Sequence, residues 1–177
     1  MTDRFTQNDA LLSAARLVAG AVMALLAIVA VGMVVGTVFA LTIARDDFIG
    51  NLASDGFGPL AYPLMITAFA ILSVLAALGF LFMRALLRIL RSVEQGDPFQ
   101  PVNADRLRQM AWLALGGLAL GLVLTGIGIW FDGKESALAG DVPGTVITGL
   151  TLTLTLFALA RVFRLGTAMR EELEGTI

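Results

Sequence analysis

The sequence predicts an all-α integral membrane four-helix bundle with N and C termini cytoplasmic. Three observations carry that expectation. Hydrophobic residues make up 58% of the chain and charged residues 15%, whereas soluble domains are about half apolar and a quarter charged. The charges are clustered and leave four uncharged gaps: Leu17–Ala44, Gly56–Met83, Gln109–Phe131 and Val142–Ala160, of 28, 28, 23 and 19 residues. About 20 apolar residues cross a bilayer core as a helix. Finally, the basic residues divide unevenly between alternate connections. Ten lie in the N-terminal segment, the connection after the second span and the tail; Arg45 and Lys134 alone lie in the other two connections. Arginine and lysine concentrate on the cytoplasmic side. The basic side then carries a net +2 and the opposite side −4. Four spans and short connections use the whole chain, so residues 1–177 read as one membrane domain with spans at about 17–44, 59–83, 109–131 and 142–160.

The first span, 17–44, is about twice as long as the apolar stretch of a secretory signal, and Asp3 and Asp9 dilute the positive segment before it. A retained helix is expected. Gly32 and Gly36 form a GxxxG pair, as do Gly117 and Gly121 in the third span. Close helix packing within the bundle is the first reading of both, and homodimerisation the second. The outer connection RDDFIGNLASDGFG reads as a solvated loop whose acids precede a helix start. Its spacing matches no complete EF-hand loop.

The second span follows Pro59 and Pro63 and is expected to continue past Met83 as a helix, RALLRILRSVEQ. Arg84, Arg88 and Arg91 share one face, with Leu86, Leu87, Leu90 and Val93 mostly opposite. Gly96 and Pro98 end that helix. Asn103 is placed to cap the next one, with Asp105 in its first turn and Val102 and Leu107 as a hydrophobic staple. Phe99 is expected to fold back onto the bundle or dip into the interface. In the third span, Trp112 and Trp130 lie 18 residues apart, roughly 27 Å along a helix, as interfacial indoles require. Phe48, Phe57 and Tyr62 fit the outer boundary in the same way.

The fourth span, GTVITGLTLTLTLF, alternates with strand period, but a lone strand cannot satisfy its backbone in lipid. As a helix it sets Thr145, Thr148, Thr151 and Thr155 on one broad face, expected to pack rather than line a path, and Pro143 suits its first turn. The tail, 161–177, reads as a helical extension with an apolar stripe of Val162, Leu165, Met169 and Leu173. Its Glu171, Glu172 and Glu174 are expected to pair with arginines of the 84–108 connection.

Several function classes are disfavoured. There is no Cys and no His, so the usual zinc sites, haem histidines and thiol or imidazole nucleophile pairs are absent. No cofactor, metal site or catalytic residue is expected, and the chain is not read as an enzyme. No Asp, Glu, Lys or Arg sits inside a span, which weighs against proton-coupled transport. The arginines carry no nucleic-acid motif, and direct nucleic-acid binding is not expected.

The segment RILRSVEQGDPFQPVNADRLRQMAW combines an arginine-bearing helix end, G-D-P-F and N-A-x-R-L-R. The tail ARVFRLGTAMREELEGTI adds V-F-x-x-G and a closing E-G-T-I. Together they resemble domain-of-unknown-function family 2975, small bacterial four-span membrane proteins often encoded beside a small Cro/C1-type helix-turn-helix regulator. The arginine-over-lysine bias, eleven to one, fits a GC-rich bacterial genome. The resemblance implies a regulatory pairing and brings no catalytic residue, substrate or cofactor. The expected function is thus a bacterial inner-membrane regulatory or interaction module. Its partners would be the lipid bilayer, a cytoplasmic protein such as that regulator, and a second copy of itself; the alternative is a small oligomeric channel or transporter. The candidate partner-binding residues are Arg88, Arg91, Gly96, Asp97, Pro98, Phe99, Asn103, Arg106 and Arg108.

Overall fold

In the computed structural model, which describes residues 3–95, 99–132 and 141–174, the chain forms five helices: α1 (Asp3–Thr42), α2 (Arg45–Ser54), α3 (Ala61–Glu94), α4 (Pro101–Asp132) and α5 (Val142–Glu174). Side chains are described from residue 13 onward, those of 171, 173 and 174 excepted. Four stretches are long and apolar enough to cross a membrane: Ser13–Thr42, Ala61–Glu94, Pro101–Asp132 and Val142–Arg170. The protein is a multi-pass membrane protein built as a bundle of four helices. Each helix outruns the bilayer. The 34 residues of α3 extend roughly 51 Å, against about 30 Å of hydrocarbon.

Side-chain contacts fix the antiparallel order. Arg16 of α1 meets Glu94 of α3 at 2.9 Å, and at the far end of the same pair Tyr62 donates to the Ala40 carbonyl at 2.9 Å. Trp112 of α4 packs edge-on to Phe157 of α5 at 5.4 Å, and Arg164 reaches Asp105 at 3.3 Å. The spans pack in sequence, α1 on α3, α3 on α4 and α4 on α5; among the described residues α1 packs on neither α4 nor α5. The bundle is therefore an open row with α1 and α5 at its edges. The outward residues of α1, among them Ile28, Val31 and Val35, are exposed, and in a bilayer they are as comfortable against acyl chains as against another helix. The tightest core lies at the end that carries both termini. There Ala85, Ile89, Leu107, Met110, Ala111, Leu156 and Ala160 are buried together, with Phe82, Leu86 and Phe163 packed around them.

Three expectations are corrected by this arrangement. First, the connection after α1 is a helix and not a loop. Asp46 and Asp47 lie in the first turn of α2, where carboxylates complement the helix dipole. The helix stops at Gly56, whose φ of 83° is the left-handed conformation glycine tolerates. The N–H of Phe57 closes the motif on the Leu52 carbonyl at 2.9 Å. That turn aims Phe57 at Trp130 and Phe131, with ring centroids 6.3 and 5.3 Å away, so these three rings form a cluster.

Second, the GxxxG glycines do not make the close packing. A Cβ added at Gly32, Gly36, Gly117 or Gly121 would meet nothing within 4 Å. The close approaches are at Gly79, where a Cβ would lie 3.1 Å from Leu26, and at Gly149, where it would lie 2.7 Å from Leu118. Each sits on a helix face that points at a neighbour in the row; the GxxxG pairs do not.

Third, Thr145, Thr148, Thr151 and Thr155 are all exposed. Within the 142–160 span the buried threonine is Thr153, whose hydroxyl donates to the Gly149 carbonyl at 2.8 Å. It continues the stripe Gly149, Thr153, Leu156 and Ala160 that meets α4. Thr155 likewise donates back to the Thr151 carbonyl, so the hydroxyl is satisfied within its own helix.

The apolar stripe of the tail points outward. Val162, Leu165 and Met169 are exposed, while Phe163 and Thr167 face the bundle; Leu173 lies outside the described side chains.

Candidate functional site

The end that bears the termini holds most of the basic residues, and its geometry is set by three helices that project past the apolar layer. On α3 the arginine face appears as the periodicity predicts, with Arg84, Arg88 and Arg91 exposed. The buried face is shifted by one residue: Ala85, Leu87, Ile89 and Ser92 are buried, and Leu86, Leu90 and Val93 are half-buried. The reason is that α3 packs between α1 and α4 and must bury two flanks instead of one.

Ser92 begins a polar chain across that junction. Its hydroxyl donates to the Ile89 carbonyl at 2.7 Å and accepts from Asn103 Nδ2 at 2.6 Å. Arg106 then donates to Asn103 Oδ1 at 2.9 Å and to the Arg88 carbonyl at 3.2 Å. Asn103 is fully buried, at 0% exposure. It is therefore not the cap of α4. The helix starts earlier, at Pro101, where fixed φ and a missing N–H suit the first turn. Asn103 turns inward as a bolt between α3 and α4, leaving Val102 exposed and Leu107 buried, so the expected staple between those two does not form. Buried hydrogen bonds of this kind contribute about 1 kcal/mol each, and more where a guanidinium donates.

The connection is tied to α5 by the backbone and ring of Phe99. The Phe99 and Phe163 rings lie 5.4 Å apart. A Cβ on Gly166 would approach the Phe99 ring to 3.0 Å, so that glycine makes the seat for it. Thr167 donates to the Phe99 carbonyl at 3.0 Å and to the Phe163 carbonyl at 2.9 Å. Phe99 therefore folds back onto the bundle, although 44% of it remains exposed. One ion pair that joins the tail to the connection has the opposite charge sense to the glutamate–arginine pairs expected. The tail supplies Arg164 and the connection supplies Asp105. Both members are exposed, so the pair contributes at most about 1 kcal/mol. The side chains of Glu171 and Glu174, named for that pairing, lie outside the described residues.

A family model described as "Protein of unknown function (DUF2975)" matches residues 53–177, more than half of the chain. The chain belongs to the DUF2975 family. No curated protein and no solved structure matches it. The DUF2975 match takes in α3, α4 and α5, and so every contact just described at the basic end apart from that of Arg16.

Of the nine candidate residues, Gly96, Asp97 and Pro98 lie outside the described residues. Arg88, Asn103 and Arg106 come together in the polar chain, where Asn103 is interior and offers no surface. Arg88, Arg91 and Arg108 are exposed and Arg106 is half-buried. The arrangement also contains residues that sequence reasoning missed. Ser92 carried a readable signal, a hydroxyl at the i+7 position of the stripe Ala85, Ile89, Ser92. Gly166 and Thr167 carried none, because only the packing of α5 against the connection gives them partners. On α5, Arg161 and Arg164 face Arg108 of α4 across a groove of about 410 Å³.

Proposed function

We propose that the protein is a bacterial inner-membrane regulatory module, oriented with both termini in the cytoplasm, whose basic end binds a soluble protein partner and which has no catalytic activity of its own. The observation that carries this reading is the braced basic platform. Arginines stand exposed on helices that continue past the hydrocarbon, while the buried Ser92–Asn103–Arg106 chain holds α3 and α4 in register beneath them. Effort spent on fixing a surface outside the membrane fits recognition better than conduction. The partner class suggested by the family resemblance is a small helix-turn-helix regulator encoded beside the gene. The surface it would meet is Arg84, Arg88 and Arg91, with Arg106 and Phe99 at its margin. The alternative of a channel needs several copies to enclose a path, since the spans form an open row.

Two measurements test the proposal. The chain has no cysteine, so Ser54→Cys and Gln95→Cys each introduce a single thiol at an exposed position. A membrane-impermeant maleimide is expected to label Ser54→Cys in intact spheroplasts and Gln95→Cys only after lysis; the reverse pattern overturns the orientation. The solubilised full-length protein is expected to co-purify with the neighbouring regulator, and Arg88→Glu with Arg91→Glu to lower recovery roughly tenfold or more. Failure of the wild-type chain to retain the regulator removes the proposed partner.

A further inference from the structure

The groove between α4 and α5 lies apart from the α3 surface assigned above. Trp112 opposite Phe157 and Asp105 opposite Arg164 fix an antiparallel register that sets Arg108 level with Arg161. Arg164 stands one turn further along α5, on the same face as Arg161. The floor between these guanidinium groups is apolar: Phe157, Ala160 and Leu165. Three cations thus converge at the mouth of a greasy groove. One of them, Arg164, is engaged by Asp105 across an exposed 3.3 Å contact. Neither Arg108 nor Arg161 has a hydrogen-bond or ion-pair partner among the described residues.

The depth of the groove selects its ligand. Trp112 is 57% exposed and sits one helical turn, roughly 6 Å, toward the membrane centre from Arg108. Indoles mark the headgroup boundary, so the arginines stand at phosphate level while Phe157, level with Trp112, borders the acyl chains. Leu165 lies on the other side of Arg161, roughly 6 Å further from the membrane centre, and lines the headgroup end of the groove. A soluble anion would use the guanidinium groups but not the floor. A ligand with a phosphate and attached hydrocarbon uses both, and guanidinium groups bind phosphate oxygens bidentately. We infer that the α4–α5 groove is a binding site for an anionic phospholipid, its phosphate held by Arg108, Arg161 and Arg164 and its acyl chain laid along Phe157 toward Trp112.

Trp112 supplies the readout. The full-length chain carrying Trp130→Phe is reconstituted in phosphatidylcholine vesicles containing a minor fraction of phosphatidylglycerol brominated on its acyl chains. Quenching of Trp112 is expected to exceed that given by the same fraction of brominated phosphatidylcholine, reflecting local enrichment on the order of tenfold. Arg108→Gln with Arg161→Gln is expected to abolish the excess. Arg84→Gln with Arg91→Gln, which removes the same charge from α3, is expected to keep it. Equal loss in both double variants would reduce the effect to general surface charge and overturn the site, as would no excess in the parent. If inorganic phosphate relieves the excess at concentrations that leave vesicle surface charge unchanged, the site takes free phosphate and the lipid assignment fails.

Discussion

Asn103→Ala is expected to lower the stability of the detergent-solubilised protein by about 2 kcal/mol, read as an earlier midpoint in thermal or denaturant unfolding. The side chain is interior, and it is the middle member of the chain from Ser92 to Arg106. Its removal takes from Ser92 a donor at 2.6 Å and from Arg106 an acceptor at 2.9 Å, and leaves a void where an amide was. Ser92 keeps its bond to the Ile89 carbonyl and Arg106 its bond to the Arg88 carbonyl, which limits the loss. Ser92→Ala alone is expected to cost less. A double-mutant cycle on the pair is expected to show coupling of about 1 kcal/mol, as contacting hydrogen-bonded residues do. Additive single effects would show that the two residues do not act through each other. Asp105, two residues on and exposed, is the control: Asp105→Asn removes the partner of Arg164 and is expected to change stability by less than about 1 kcal/mol, with the change fading at high salt.

Gly149→Leu is expected to loosen the α4–α5 pair by about 1–3 kcal/mol. Helices in lipid gain little from burying apolar surface, so their association depends on close contact. At Gly149 the backbone of α5 is approached by Leu118. An added Cβ would lie 2.7 Å from one Leu118 methyl carbon, 3.0 Å from the other and 3.1 Å from the Cγ where they branch. Rotating the methyl groups does not clear the branch carbon, so the whole side chain or the helix must move. Leu118→Ala in the same chain is expected to recover most of the loss. The GxxxG positions make the contrast. Gly32→Ala, Gly36→Ala, Gly117→Ala and Gly121→Ala meet nothing within 4 Å, and each is expected to be neutral or slightly stabilising from helix propensity. Destabilisation at those four, with tolerance at Gly149, would refute this packing and point to a contact between copies.

Much of the fold is legible in the chain because membrane insertion reads composition locally. Four uncharged stretches, bounded by clustered charges, specify four spans whatever their neighbours are, since an unsatisfied backbone in lipid leaves a helix as the only choice. The helical continuation past Met83 and the exposed arginine face of α3 are legible for a similar reason: 3.6-residue periodicity lies within one element. The site is less legible. Asn103 has the sequence context of a cap and the structural role of a bolt, because Pro101 starts the helix first and Ser92, eleven residues earlier, supplies a partner. The glycines that matter were hidden among others of the same kind, and only the neighbour that each faces tells Gly149 from Gly121. The fold-back of Phe99 was expected, whereas its seat at Gly166 belongs to a helix more than sixty residues further on.

The sequence by itself determined that this is a membrane protein of four helices, which segments cross, and where the basic residues gather, because hydrophobicity, charge clustering and helical period are properties of single segments. Tertiary structure alone decided that the spans stand in an open row, that the connection after the first span is a helix ending at Gly56, that Thr153 is the fourth-span threonine buried against α4, and that Arg108, Arg161 and Arg164 meet over one groove. Each of those depends on which helix lies beside which and in what register. In lipid, where every apolar face is equally content, register is settled by a few short contacts between residues far apart in the chain.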